Sequence, residues 1–368
     1  MSFRPLEGTL VVDVTSSLAG PTCTQLLASL GADVVKVEPP GGDHARAWGP
    51  PFIDGEGALF LAANAGKRSL VLDLSTQEGI DELLELAGRA DVFVQSLRPG
   101  AAEEHGFGAG ALRARRPELV HCSIGAFGST GPLRDQPGYD PLLQAASGIM
   151  SVTGMDGMPP VRVGVSLIDL STGLWAAFAI VSALARGGGA TIEVSLYETA
   201  LWLLSSQIVG YLGTGDVPRR EGSAFAQIAP YQVFATEDGE LMVVAGNDKL
   251  FRALCAVLGL PEDVRFRTNP DRVRHRAELA AAIEERTRAW STDELLAALV
   301  AAGVPASPVR NVGEAADHEQ TLALGILQQL GTFTTVAQPF SVDGERVVHL
   351  SPPPKLPPQR RASRPTAS

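Results

Sequence analysis

The sequence predicts an α/β fold with a parallel sheet and a smaller second domain. The first observation is a strand–helix–strand pattern in the first forty residues. TLVVDV (9–14) and ADVVKVE (32–38) are β-branched and apolar, and TCTQLLASLG (22–31) has helical spacing and ends on a glycine. Strand–helix–strand units of this kind form parallel sheets. The pattern recurs through the first half of the chain, and the composition changes near residue 211.

The same alternation predicts the next elements in order. RSLVLDL (68–74) is a predicted strand, and TQEGIDELLELAGRA (76–90) is a predicted helix with one apolar face. DVFVQSL (91–97) and ELVHCSIGAF (118–127) are two further strands. The apolar run 174–185 is too short to span a membrane, so we expect a core helix there.

The second half of the chain predicts a different domain. Residues 211–229 are polar, with adjacent arginines, and indicate a linker. Residues 230–248 predict a hairpin that turns at Asp238-Gly239. Helices are predicted at 249–259, 277–290 and 293–303, followed by a strand at 305–312. The predicted domains are therefore a large one, 1–210, and a small α+β one, 230–318, with a disordered Pro-, Arg- and Ser-rich tail, 351–368.

Composition narrows the class of protein. The chain has 368 residues, 45% hydrophobic and 19% charged, which is typical of a globular enzyme. A net charge of −11 argues against a nucleic-acid partner. Cys23, Cys122 and Cys255 are far apart and form no C-x-x-C, and no H-x-x-x-H occurs, so we expect no disulfide framework and no metal. With no signal-peptide pattern at the start, we expect a cytoplasmic protein without a membrane partner.

Two familiar sites are disfavoured by spacing. Gly20 and Glu38 stand where a dinucleotide site has a turn glycine and a ribose-binding acid, but LAGPTCTQ contains one glycine, not three. GFGAG (106–110) follows a helical stretch instead of a strand. The scaffold is therefore expected to be Rossmann-like without an NAD site. Ser129 in GAFGSTGP lacks the G-x-S-x-G spacing of a hydrolase.

Basic residues lie in short loops near the predicted strands, namely Arg46, Lys67, Arg68 and Arg98. Loops beyond parallel strands bind ligands, and guanidinium groups suit phosphate, so these residues predict an anion site. The alternative is that they are solubilising surface charges.

A lone acid interrupts the apolar stretch VRVGVSLIDLSTGLWAAFAIVSALAR (161–186). Asp169 could cap a helix that starts near Leu170 or Ser171, where the helix dipole would keep it ionised. A poorly hydrated carboxylate among small residues is also suited to attack a carbonyl carbon. The residues alone leave both interpretations open.

A family resemblance extends over residues 5–330. The motifs that carry it, in order, are PLEGTLVVDVTSSLAGPTCTQLLASLGADVVKVEPPGGDHAR, NAGKRSLVLDL, SLRPG, GAFGSTGP, GYDPLLQAASGIMSVTG, VGVSLIDLSTG, PYQVFATEDGELMVVAGND and AGVPASPVRNV. Together they resemble the class III CoA-transferase family, which includes carnitine CoA-transferase, formyl-CoA transferase and α-methylacyl-CoA racemase.

The resemblance implies a catalytic Asp169 that forms a mixed anhydride with the acyl group of an acyl-CoA and then an aspartyl-CoA thioester. The substrates would be an acyl-CoA and a carboxylic acid, with coenzyme A as the group transferred. It implies a Rossmann-like large domain built from both chain ends, completed by about 320–350, with 211–229 as a crossing linker of two interlocked, ring-like monomers. By position, the implied CoA contacts are Leu18, Ala19, Leu72, Asp73, Leu74, Ser75, Ser96, Leu97, Arg98, Gly138 and Tyr139.

The chain departs from the family pattern at three places. GYD (138–140) stands where the racemase branch has G-H-D, and the phenol of Tyr139 is too weak an acid for that histidine's proton transfer at neutral pH. Leu18 replaces a glutamine of formyl-CoA transferase, and the usual C-terminal G-E-H-like element is missing. The first hypothesis is CoA transfer, the second is acyl-CoA racemisation by α-proton exchange, and the third is non-catalytic CoA binding.

Overall fold

The computed structural model describes residues 3–357, which form two compact units. Of the described residues, the larger unit comprises 3–149, 162–216 and 322–357. The smaller unit comprises residues 150–161 and 217–321. Residues 150–161 therefore lie in the smaller unit, although the sequence places them in the large domain.

The strands of the described chain are β1 (Leu10–Val14), β2 (Asp33–Glu38), β3 (Phe52–Ile53), β4 (Glu56–Gly57), β5 (Lys67–Val71), β6 (Val92–Gln95), β7 (Val120–Gly125), β8 (Thr191–Ser195), β9 (Tyr231–Ala235), β10 (Glu240–Val244), β11 (Ala306–Pro308), β12 (Leu327–Leu330), β13 (Phe333–Val336), β14 (Ser341–Val342) and β15 (Glu345–Arg346). The α-helices are α1 (Ala19–Ser29), α2 (Ala58–Ala63), α3 (Gln77–Ala87), α4 (Ala101–Glu104), α5 (Ala109–Arg115), α6 (Asp140–Ser147), α7 (Ile149–Val152), α8 (Leu167–Ala185), α9 (Leu196–Leu203), α10 (Ser205–Thr214), α11 (Asp248–Leu258), α12 (Asn269–Arg274), α13 (Arg276–Thr287), α14 (Thr292–Ala301), α15 (Val312–Asp317) and α16 (Glu319–Leu324). Short 3₁₀ helices occupy His44–Ala47 and Val264–Phe266.

A parallel six-stranded sheet forms the centre of the larger unit. Its order is β5-β2-β1-β6-β7-β8, and every neighbouring pair is parallel. Val11, Val12, Val92 and Phe93 are fully buried, as expected for strands covered by helices on both faces. The chain adds strands in one direction from β1 through β2 to β5, and in the other direction from β6 to β8. The space between β1 and β6 is therefore a topological switch point, where doubly wound sheets bind ligands. The predicted α/β class and parallel sheet are confirmed.

Helices α1 and α8 pack closely against each other in this unit. A Cβ added to Gly173 of α8 would lie 2.6 Å from the carbonyl oxygen of Ala19 and 2.8 Å from Cβ of Thr22. Only a glycine therefore allows this approach of the two backbones. The contact places the N-terminal turn of α8 beside the start of α1, at the switch-point edge of the sheet.

Helix α8 starts at Leu167, so the expectation that Asp169 caps a helix starting near Leu170 or Ser171 is wrong. Its N-cap is Ser166, and Asp169 lies in its first turn. The helix is also longer than the predicted apolar run 174–185. Among residues 3–357, α8 is the one helix that has the length and hydropathy of a membrane span. Core helices of soluble proteins share these properties.

The smaller unit contains a three-stranded antiparallel sheet ordered β11-β10-β9. Phe234, Leu241, Leu254, Ile283 and Leu295 are buried in its core. The predicted hairpin and the helices near 249–259, 277–290 and 293–303 are present as β9–β10, α11, α13 and α14. The predicted strand at 305–312 is shorter than expected: β11 ends at Pro308, and helix α15 begins at Val312. The predicted linker 211–229 begins inside α10.

The chain beyond the last strand contacts the larger unit. The backbone N–H of Gly66 donates to the Ser351 carbonyl at 2.8 Å, and the guanidinium of Arg46 donates to the Pro354 carbonyl at 3.0 Å. Residues 351–357 of the predicted tail are therefore held to this unit. The rest of that predicted tail, 358–368, lies outside the described residues.

Candidate active site

The loops that leave β1 and β6 meet at the switch point of the sheet. The backbone N–H of Ser16 donates to Oγ of Ser96 at 3.2 Å. Leu18 is the N-cap of α1 and makes no side-chain capping bond, and both Leu18 and Ala19 are buried. Because their side chains face the core, a ligand at this edge would meet the backbone of these residues and the free N–H groups of the helix start.

The implied CoA contacts all follow strands of the sheet or precede α6. Ser96 and Leu97 are partly buried and Arg98 is exposed, directly after β6. The segment from Leu72 to Ser75, which includes Asp73 and Leu74, follows the edge strand β5. The Asp73 carboxylate accepts from the N–H of Ser75 at 3.0 Å and from its Oγ at 2.6 Å, which lowers the pKa of Asp73.

Gly138 and Tyr139 lead into helix α6. A Cβ on Gly138 would lie 2.5 Å from Leu143 and 2.8 Å from Ala126, so the tight packing requires glycine. The Tyr139 side chain is 61% exposed. Among the implied contacts, Ser96 is joined to the loop before Leu18 and Ala19 by the hydrogen bond from Ser16. The Leu72–Ser75 segment follows β5, which lies two strands away from β1 in the sheet.

Asp169 is half-buried in the first turn of α8. Burial first, and the neighbouring Asp140 carboxylate second, raise the pKa of Asp169 to about 7. The sequence predicted the opposite direction, since a helix N-terminus favours the ionised form. Loss of water and a second negative charge outweigh the helix dipole here.

Asp140 is a neighbour of Asp169 that the sequence analysis did not assign to the site. Its carboxylate is 1% exposed and accepts from the N–H of Ile168 at 2.8 Å and of Asp169 at 3.2 Å. The side chain of Gln144 donates to it at 2.6 Å and accepts from the N–H of Val163 at 2.8 Å. One local signal in the sequence could have indicated this pair: Asp140, in GYDP, and Gln144 are an acid and an amide four residues apart on a helix.

The basic residues do not form the predicted anion cluster. Lys67 is buried and bonds to Asp13 at 3.1 Å, and Arg46 is buried against Glu38 at 2.7 Å. Arg68 is exposed and pairs with Asp33 of the neighbouring strand. The prediction is wrong for these three because each cation is used by a carboxylate within the fold. The fourth, Arg98, is exposed near the switch point and pairs with Glu104 at 2.5 Å.

A cavity of about 510 Å³ opens beside the ends of β6, β7 and β8. Its lining contains the carboxylates of Glu103, Asp135, Glu193 and Glu198 and one guanidinium, Arg134. This excess of negative charge does not suit a polyphosphate, and Asp169 does not line the cavity. Among residues 3–357, no group of three or more His, Cys, Asp and Glu side chains is placed to hold a metal ion.

Comparison with known proteins decides the family. The model of CoA-transferase family III matches residues 6–359. The chain belongs to CoA-transferase family III. It is 40% identical to the succinate–glutarate CoA-transferase of Agrobacterium fabrum, over 88% of this chain and 84% of that protein. It is 39% identical to the acetyl-CoA:oxalate CoA-transferase of Acetobacter aceti, over 98% and 95%.

Solved structures agree with this assignment. A CaiB/BaiF family protein from Brucella suis superposes on this CoA-transferase with a TM-score of 0.87 at 40% identity, covering 97% of each chain. A hypothetical protein from Mycobacterium tuberculosis superposes with a TM-score of 0.87 at 30% identity, covering 96% of this chain and 97% of its own. The family resemblance drawn from the motifs is thereby confirmed.

Proposed function

We propose that this CoA-transferase moves CoA from an acyl-CoA donor to a free carboxylic acid through a covalent intermediate on Asp169. The observation that carries the proposal is a half-buried carboxylate beside the start of α1, with its pKa raised to about 7. Among the described residues no cation forms an ion pair with it, so its charge is not taken up by the fold.

The proposed reaction has four steps. A carboxylate oxygen of Asp169 attacks the thioester carbon of the donor, and the C–S bond breaks. CoA thiolate is released, and a mixed anhydride of Asp169 and the donor acid is formed. The thiolate attacks the aspartyl carbonyl, which releases the donor acid and forms aspartyl-CoA. The acceptor carboxylate then attacks that thioester and displaces the thiolate. Attack of the thiolate on the acceptor's acyl carbon gives the new acyl-CoA and restores the Asp169 carboxylate.

A raised pKa suits this role. Carboxylates of ordinary acidity are weak nucleophiles, and their reactivity increases with basicity as long as the ionised fraction at the working pH is not lost. With a pKa of about 7, a large fraction of Asp169 is ionised at neutral pH while its basicity is well above that of an exposed aspartate. Limited access of water also protects an anhydride or thioester from hydrolysis.

We propose short dicarboxylic acids as the acceptor class. The relatives carry succinate, glutarate, oxalate and mesaconate in their names, and each of these acids has two carboxyl groups. A succinyl or acetyl thioester is the corresponding donor class. The implied CoA contacts from Leu18 to Tyr139 are proposed as the binding residues, through backbone groups where the side chains are buried.

We also propose a homodimer with interlocked chains, in which residues 211–229 cross between units. Helix α10 has no buried residue, and Val209 and Leu212 are 70% and 75% exposed. Leu174 and Phe178 of α8 are 60% and 63% exposed. Apolar side chains on two helices of one unit require a cover, and a second copy would provide it. Cytoplasmic localisation and the expectation of no nucleic-acid or membrane partner stay predictions.

The function is tested by incubating the enzyme with succinyl-CoA or acetyl-CoA and a panel of labelled dicarboxylic acids, with the new thioester measured by mass spectrometry. We expect transfer that depends on the donor and falls at least about a thousandfold in Asp169→Asn. Peptide mapping after acyl-CoA treatment is expected to find the adduct on the peptide that contains Asp169. The matched control is Glu85→Gln, an exposed carboxylate on α3, which should keep the wild-type rate.

Other outcomes would point elsewhere. Undiminished transfer in Asp169→Asn, or an adduct at another residue, would contradict the proposed mechanism. Solvent deuterium at the α-carbon of the acyl-CoA without any acceptor would indicate the racemase. CoA binding with neither reaction would indicate a non-catalytic binding protein.

A further inference from the structure

We infer that Asp140 is a positioning residue for Asp169: its buried carboxylate caps helix α8 from a different helix and places a fixed negative charge beside the nucleophile. The inference rests on the proposed function, because it concerns how the same carboxylate is presented and activated. It is carried by the hydrogen bonds that join α6 to the first turn of α8.

The cap is supplied across space instead of along the chain. Ser166 is the N-cap of α8 and makes no side-chain capping bond. Ile168 and Asp169 are the second and third residues of the helix, whose N–H groups an N-cap side chain ordinarily satisfies. Asp140 accepts from both, at 2.8 and 3.2 Å. The backbone of Asp169 is thus held by a side chain from α6.

Gln144 fixes Asp140 in this position. Its amide nitrogen donates to one carboxylate oxygen of Asp140, and its amide oxygen accepts from the N–H of Val163. Gln144 is fully buried, so these bonds have no competition from water. The same side chain therefore ties both the capping acid and the segment that leads into α8.

The charge on Asp140 adds something that a neutral cap would not. Asp140 and Asp169 are two acids in a poorly hydrated region, and like charges there repel strongly. Acylation of Asp169 removes its negative charge, so the repulsion is present in the free enzyme and is relieved in the covalent intermediate. The arrangement thus favours formation of the acyl-enzyme and raises the basicity of the attacking oxygen.

The test compares Asp140→Asn, Asp140→Ala and wild type. Asparagine retains an oxygen that can accept from α8 but removes the charge, whereas alanine removes both. With ¹³C-labelled aspartate, and the Asp169 signal assigned by its loss in Asp169→Asn, NMR titration gives the ionisation midpoint. We expect a wild-type midpoint near pH 7 and a shift of about one pH unit toward acid in Asp140→Asn.

The rate of adduct formation with acyl-CoA, followed by rapid quenching and intact mass, provides the second readout. We expect the pH midpoint of this rate to shift together with the ionisation midpoint of Asp169. The rate at the high-pH plateau should fall about tenfold in Asp140→Asn and further in Asp140→Ala. Glu85→Gln, the exposed control, should change neither quantity. Circular dichroism confirms that each variant is folded.

An unchanged Asp169 midpoint in a folded Asp140→Asn would overturn the inference and leave Asp140 a structural cap. That result is separate from failure of the proposed function. If wild type forms no adduct at Asp169, the proposed mechanism fails, while the NMR titration still reports whether Asp140 acts on Asp169.

Discussion

Two acids in the larger unit, Asp13 and Asp169, are withdrawn from water, yet their ionisation shifts in opposite directions. Asp13 lies in β1 at 0% exposure, and burial alone would raise its pKa. The ammonium groups of Lys67 and Lys36, with hydrogen bonds from Thr15 and Thr24, reverse that effect and lower it. Asp169 has a second carboxylate for a neighbour instead of an ammonium, and its pKa rises to about 7.

The comparison shows that burial alone does not determine the direction in which the pKa of an acid shifts. Burial penalises the charge of both acids, and the neighbouring charge determines the result. Burial lowers the pKa of Lys67 to about 8, so its ammonium is still charged at neutral pH and neutralises Asp13. Asp169 forms no ion pair among the described residues, as its proposed role as a nucleophile requires.

The largest expected effect comes from removing the cation beside Asp13. Lys67→Met should destabilise the enzyme by about 3–5 kcal/mol, because it removes the one ammonium group, among the described residues, that pairs directly with the fully buried Asp13 carboxylate. The free energy of unfolding is measured by urea denaturation at pH 7.

The matched control is the next residue along the chain. Arg68 pairs with Asp33 on the surface, with both side chains more than half exposed, so Arg68→Met should cost less than about 1 kcal/mol. Equal losses in the two variants would show that the Asp13 site is not a buried ion pair and would remove one side of the comparison.

The second expected effect is a gain in the free energy of unfolding when the charge of Asp169 is removed. Asp169 has a folded pKa of about 7, above the value near 3.8 of an unperturbed aspartate. Below pH 4 both states are protonated and the residue contributes nothing. Between pH 4 and 7 only the unfolded state ionises, so stability falls as pH rises, and above pH 7 the loss is complete. Asp169→Asn should therefore stabilise the enzyme at pH 8, by up to about 4 kcal/mol, and hardly at pH 4.

Urea denaturation of wild type and Asp169→Asn at several pH values checks this sign. The gain should grow from pH 4 to pH 7 and then level off. A gain that is constant over this range, or a loss at pH 8, would show that Asp169 does not carry a buried and unneutralised charge.

The sequence predicted the elements of the fold better than their connections. Strands such as 32–38 and helices such as 249–259 were correct within a few residues, because apolar periodicity is a local property. The start of α8 was missed because its cap, Asp140, lies 28 residues upstream. The assignment of 150–161 was missed because its contacts are distant, for example the bond from Gly222 to Gly154.

The candidate site shows the same division. The sequence could single out Asp169 as a candidate because a lone acid in an apolar stretch is visible in it. The direction of the pKa shift of Asp169 was not predicted correctly, because it depends on burial and on Asp140, which becomes a neighbour only in the folded chain. Lys67 and Arg46 were assigned to an anion site for the same reason, since their partners Asp13 and Glu38 are revealed only by folding.

The smallest effect tests whether packing of α1 against α8 keeps Asp169 in its place. Gly173→Ala would put a methyl group 2.6 Å from the Ala19 carbonyl, so the two helices must separate. We expect a loss of about 1–3 kcal/mol in unfolding free energy and a lower rate of adduct formation at Asp169. Gly110→Ala in α5 is the control, since its added Cβ meets no atom within 4 Å and the change should be neutral or slightly stabilising. If Gly173→Ala lowers stability but leaves the rate and the Asp169 titration unchanged, the position of α8 against α1 does not matter for reactivity. The difference between Asp13 and Asp169 would then depend on their charged neighbours alone.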